Sequence, residues 1–130
     1  MAMNNETKHH ELFKKAQEDE LSIGAILRDE RGAPSTACFL SQQMAEKYLK
    51  GMLVFYDKRF PKIHDLLKLE DLLLHYEKEI KNYEDDLVLL NRYYVETRYT
   101  GDYPEFTFQE ARKAYEAAKK IKEFVLGKIK

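Results

Sequence analysis

At 130 residues, the chain has the size of one domain and can bury a core without disulfides or bound metal. Its 22 basic and 23 acidic side chains leave a formal net charge of -1, which argues against whole-protein attraction to nucleic acid or membrane. The lone cysteine, Cys38, excludes an internal disulfide, and no apolar run is long enough to span a bilayer.

The N-terminal stretch Met1 to Glu11 is polar and lacks the apolar core of a signal peptide, so the expectation is a cytoplasmic protein. The first predicted helix runs from about Thr7, a suitable N-cap, to Asp29. Leu12, Phe13, Ala16, Ile23, Ile26 and Leu27 form its apolar stripe. Arg31-Gly32-Ala33-Pro34 then reads as a stop and a restart. Gly32 suits the C-terminal cap and Pro34 the first turn of the next helix. So short a connection makes the first two helices antiparallel neighbours.

The second predicted helix, Thr36 to about Asp57, organises the rest. Ala37, Leu40, Met44, Tyr48, Met52 and Phe55 keep one helical series, and Cys38, Ala45, Leu49, Leu53 and Tyr56 keep an adjacent one. Two stripes side by side predict neighbours on two sides, hence the centre of a bundle. Its polar residues are confined to a narrow band: Ser41, Gln42, Gln43, Glu46, Lys47 and Lys50. Cys38, within the apolar run, reads as a buried, inert thiol.

A polar loop around Pro61 leads to Asp65, which can cap a third helix bearing Leu66, Leu69, Leu73, Tyr76 and Ile80. A fourth carries Tyr83, Leu87, Leu90 and Tyr94, with Asn91 on the same side as a satisfied amide. Arg98 to Pro104 is a second loop, rich in tyrosine. The last helix starts near Thr107 and buries Ala111, Ala114, Tyr115, Ala118, Ile121 and Val125. From Gln109 to Lys130 bases outnumber acids by seven to three, and from Asp65 to Asp86 acids outnumber bases by eight to three. No run alternates as a strand does. The expected fold is therefore all-α: a single domain over residues 1–130, an antiparallel up-and-down four-helix bundle with an additional short helix, five in all.

No phosphate-binding glycine loop, zinc-protease helix, paired cysteines or hydrolase elbow is present. His9 and His10 are adjacent and face different ways, so no metal site is expected there, and His75 reads as a surface histidine. His64, with Arg59 and Lys62 near it in sequence, could move a proton while an arginine holds a phosphate, or could simply end the loop beside the Asp65 cap. Arg92, Arg98, Tyr99, Asp102 and Tyr103 crowd a second candidate. Arginine supplies charge for a phosphate and tyrosine a face for a base, although the same residues could form a packing corner.

The stretch CFLSQQMAEKYLKGMLVFYDKRFPKIHDLLKL, residues 38–69, resembles the opening of HEPN domains. That family often shows a QQAAEKxLK-type helix, a gap, and a proline followed by HDL. LNRYYVETRYTGDYPEFT, residues 90–107, resembles the family's later block, with Asn91, Tyr94, Arg98, Tyr99 and Tyr103 at recurrent positions. The resemblance implies a five-helix bundle, commonly a homodimer, similar to the helical domain beside kanamycin-type nucleotidyltransferases. It implies a partner, a separately encoded minimal nucleotidyltransferase, in a toxin–antitoxin or nucleotide-modifying pair. No cofactor and no metal are expected. Nucleotide or RNA phosphate would be bound by Arg98, Tyr99, Tyr103, Lys62, Gln43, Glu46 and Lys50. Many members are metal-independent ribonucleases with an arginine shortly before a histidine. No histidine follows Arg98, and that spacing occurs at Arg59 and His64. Those two are the candidate catalytic pair of an endoribonuclease, the alternative to a binding module. A dimeric bundle without ligand is the third reading.

Overall fold

The computed structural model describes residues 5–57, 59, 62–96 and 106–129. Among them the elements are α1 (Asn5–Asp29), α2 (Pro34–Asp57), α3 (Leu66–Leu73), a 3-10 turn (Lys78–Tyr83), α4 (Glu84–Asn91), α5 (Tyr93–Glu96) and α6 (Phe108–Lys128), with no strand. The α1–α2 turn follows its sequence. Gly32 takes a left-handed φ of 78°, Arg31 N–H donates back to Ile26 O at 3.2 Å, and Pro34 opens α2.

Side-chain pairs set the directions. His9 meets Phe55 and Phe13 meets Tyr48, while Lys47 pairs with Asp19, so α1 and α2 run oppositely. Tyr83 meets Phe124 and Tyr93 donates to Glu110, so α4 and α6 run oppositely too. Arg112 reaches Leu27 O and Lys122 reaches Glu20, which sets α6 against α1. Thus α1, α2, α4 and α6 alternate up and down. The short α3 is the addition, and it runs parallel to α2: His64, just before it, meets Glu46, and Tyr76, just after it, stacks on Tyr56. Asp57, at the end of α2, and His64, beside Glu46, therefore stand at different levels along α2.

Helix α2 touches each of the other five α-helices. That is the physical content of its two apolar stripes, and Met44, Ala45, Tyr48, Leu49 and Met52 are completely buried. Gly51 lets α1 approach closely: a methyl group built on it would overlap the ring of Phe13. Burial also pushes the Cys38 thiol up to about 12, so it stays protonated and inert.

Two elements differ from the apolar spacing. The third helix stops at Leu73, because Tyr76 is drawn out to stack on Tyr56 at 5.0 Å and to donate to Asp57. The fourth is interrupted at Arg92, which leaves Tyr93–Glu96 as a separate turn.

Where α3 meets α4, Glu70 is 1% exposed and its Oε2 has no hydrogen-bond partner among the described residues. Burial, then the Glu84 carboxylate beside it, pushes the Glu70 carboxyl up to about 7. A raised carboxyl favours the folded state below the unfolded value of 4.5 and loses that contribution as pH rises through about 7. Glu70→Gln, a neutral isostere, will therefore match the parent's melting temperature near pH 4.5. Above about pH 8 it will melt higher by roughly 4 °C, the shift that about 1 kcal/mol produces in a domain of this size. A difference independent of pH in melts followed by circular dichroism would count against the charged pair.

Candidate functional site

The polar band of α2 is not a surface stripe. Gln42, Glu46 and Lys50 lie one turn apart on one line of the helix, and all three are buried. Glu46 is their centre. Its Oε1 accepts from Gln42 Nε2 at 3.1 Å, and its Oε2 accepts from Lys50 Nζ at 2.9 Å. The same Oε2 lies 2.9 Å from His64 Nδ1. Gln42 Nε2 also reaches the His64 carbonyl at 3.3 Å, and the half-buried Gln43 donates to Gln42 Oε1 at 2.7 Å. Three family-like positions of α2 thus fix a histidine that arrives from another element.

The HDL segment is held from α4 as well. Asp65 Oδ1 accepts from Leu67 N–H at 2.9 Å, the expected helix cap. Asn91 Nδ2 donates to the same oxygen at 3.0 Å, and Asn91 Oδ1 accepts from Leu66 N–H at 2.9 Å. Asn91 is therefore a satisfied amide that ties the end of α4 to the start of α3. Tyr94 covers one face of His64, with ring centroids 5.0 Å apart and planes 13° apart. The capping hydrogen bond itself is made by Asp65. The His64 side chain remains 53% exposed.

Arg59 and His64 are not brought onto a common partner. Arg59 Nε lies 3.0 Å from Asp57, whereas His64 sits against Glu46. Eleven residues of α2 separate those carboxylates, about 16 Å of helix. Lys62 is exposed. Arg98, Tyr99 and Tyr103 lie outside the described residues.

A hollow of about 350 Å³ opens between α4–α5 and the start of α6, lined by Leu89, Arg92, Tyr93, Thr107, Gln109, Glu110 and Lys113. The Arg92 guanidinium lies 5.6 Å from the centre of the Tyr93 ring. Thr107 caps α6 by accepting from Glu110 N–H at 3.0 Å. Tyr93 donates to Glu110 Oε2 at 2.9 Å, and burial, then that bond, pushes the Tyr93 phenol well above its ordinary range. Leu89, Gln109 and Lys113 also line a second hollow of about 460 Å³, which continues along α4 and α6. Gln109 and Lys113 carry no site role in the sequence reading, and Thr107 reads there only as the start of the last helix. Their one signal there was the basic excess of the last helix.

A family model of the HEPN domain matches residues 9–129. Among solved structures, TT1696 from Thermus thermophilus superposes with a TM-score of 0.78 at 26% identity, covering 98% of this chain and 100% of that one. ST0689, described as an archaeal HEPN homologue, gives a TM-score of 0.73 at 27% identity, covering 94% of this chain and 98% of that one. No curated protein matches the chain.

Proposed function

The chain belongs to the HEPN domain family, and from that premise we propose that it is a helical module that binds the phosphate of a nucleotide or an RNA. It works with a separately encoded minimal nucleotidyltransferase and acts as a homodimer. The observation that carries the binding role is the hollow lined by Arg92, Gln109, Thr107 and Lys113. It pairs two cationic side chains with the neutral Thr107 and Gln109, the combination that phosphate recognition uses, while Glu110, the one acid in its lining, accepts from Tyr93. Thr107 and Arg92 also stand on either side of the segment that contains Arg98, Tyr99 and Tyr103 in the sequence. No described helix is long and apolar enough to cross a membrane.

Fluorescence anisotropy with a labelled oligonucleotide tests the proposal. Arg98→Ala and Lys113→Ala will each weaken binding about tenfold at low salt and lower the salt slope by about one. Arg98→Lys will not fully restore affinity, because an ammonium lacks the planar fork of the guanidinium. Affinities unaffected by both alanine variants would sink the reading and leave a bundle without ligand. Sedimentation at micromolar concentration tests the dimer.

One observation favours the endoribonuclease reading in part: a buried carboxylate holds His64, as acid–base histidines require. Arg59 does not join it, so the pair would need another cation for the phosphate. Metal-free RNA cleavage that disappears in His64→Ala would establish this second reading.

A further inference from the structure

The two hollows form one groove, because Leu89, Gln109 and Lys113 line both. Its chemistry changes along its length. At one end stand Arg92, Thr107 and Lys113, and the acid there, Glu110, is occupied by the Tyr93 hydroxyl at 2.9 Å. Toward the other end Asp86 and Glu116 enter the lining, beside the apolar Leu89 and Ala117. The further cations of that end are engaged already. Arg112 donates to Leu27 O and Glu30, and Lys120 faces Asp86. The first end therefore suits a phosphate, and the two carboxylates of the second repel one. What the second end can take is a flat, partly apolar group with hydrogens to donate. Asp86 is placed to receive them. Its side chain is 21% exposed, and Lys120 lies 3.8 Å away, beyond hydrogen-bond range, so Asp86 keeps acceptor capacity in the hollow it lines. Asp86 and Arg92 are separated by about 9 Å of helix, comparable to the reach of one nucleotide from phosphate to base edge.

We propose that the two hollows together hold one nucleotide, phosphate toward Arg92 and Lys113 and base beside Leu89 and Ala117, and that Asp86 selects guanine by accepting from its N1–H and its 2-amino group. This rests on the phosphate-binding role proposed above and adds the base that accompanies the phosphate. A carboxylate has two acceptor oxygens side by side and nothing to donate. Guanine alone among the four bases presents two adjacent donors on its pairing edge. Adenine and cytosine set a donor beside an acceptor, and uracil sets one donor between two acceptors, so each would bring a lone pair against Asp86.

The test is calorimetric titration of the full chain with the 5′-monophosphates of guanosine, adenosine, cytidine and uridine. The guanosine nucleotide will bind about tenfold tighter than the other three, the discrimination that one bidentate pair supplies. Inosine monophosphate, which keeps N1–H and lacks the 2-amino group, will fall between guanosine and adenosine. Asp86→Asn will bring the guanosine nucleotide down to the level of uridine, with the circular dichroism spectrum unchanged. If that variant fails to fold, the inosine comparison on the wild type decides. Labelled pentamers UUGUU and UUAUU distinguish a free nucleotide from a guanine within a strand, and preference for UUGUU in either case supports the assignment. Equal binding of the four monophosphates and of the two pentamers, inosine no weaker than guanosine, or a guanine preference that survives Asp86→Asn overturns this inference alone. Failure of every monophosphate and both pentamers to bind overturns the phosphate-binding role and this inference with it.

Discussion

Leu49→Ala will lower the unfolding free energy by about 2–5 kcal/mol, measured by urea denaturation. Leu49 is completely buried in the helix that every other α-helix touches. Truncation there removes transfer energy and leaves a space that the packed surroundings fill only in part. Against a total stability of about 5–15 kcal/mol, such a loss threatens the fold. Leu21, 74% exposed on α1, is the control. Leu21→Ala will change stability by no more than about 0.5 kcal/mol. Equal effects at the two positions would show that α2 is not the centre of the bundle.

Glu46→Ala will have an effect of similar size, about 3–5 kcal/mol, for a different reason. The Lys50 side chain is 7% exposed and that of Glu46 is 6% exposed, so the pair sits away from water. Removing the carboxylate takes one close partner, at 2.9 Å, from a buried ammonium, and takes an acceptor from Gln42 and from His64. Replacing both Glu46 and Lys50 by methionine removes the charges together. Buried ion pairs exchanged for apolar residues of similar volume are often neutral in stability, so the double variant will recover most of the loss. A double variant as unstable as the single one would show that the charges themselves stabilise the fold, beyond avoiding isolation.

The helical architecture was legible because the apolar spacing is regular and the caps are local. Asp65, Thr107, Gly32 and Pro34 do what their chemistry and neighbours require. The end of the third helix was not legible. Tyr76 continues the spacing of Leu69 and Leu73, and only contact with Tyr56 and Asp57, from a distant part of the chain, removes it from the stripe. The buried network was half legible. Gln42, Glu46 and Lys50 stand one turn apart in sequence, but three polar side chains in a row read as a wetted face. The partner of Glu46 outside α2, His64, comes from another element. Arg59 and His64, five residues apart in sequence, are held by different carboxylates. Gln109 and Lys113 were missed because a hollow between two helices leaves no periodic trace in either.

The notch at Gly51 has a consequence for alignment. Apolar helix faces can slide past each other by a turn, about 5.4 Å, while still burying comparable surface. On α2 the positions one turn either way along this line are Lys47 and Phe55, and both carry long side chains. A shift of α1 in either direction would drive the Phe13 ring into one of them. The ring and the missing side chain therefore act as a key and its slot, which makes one register of the α1–α2 pair far better than its neighbours. The Lys47–Asp19 ion pair is made in that register.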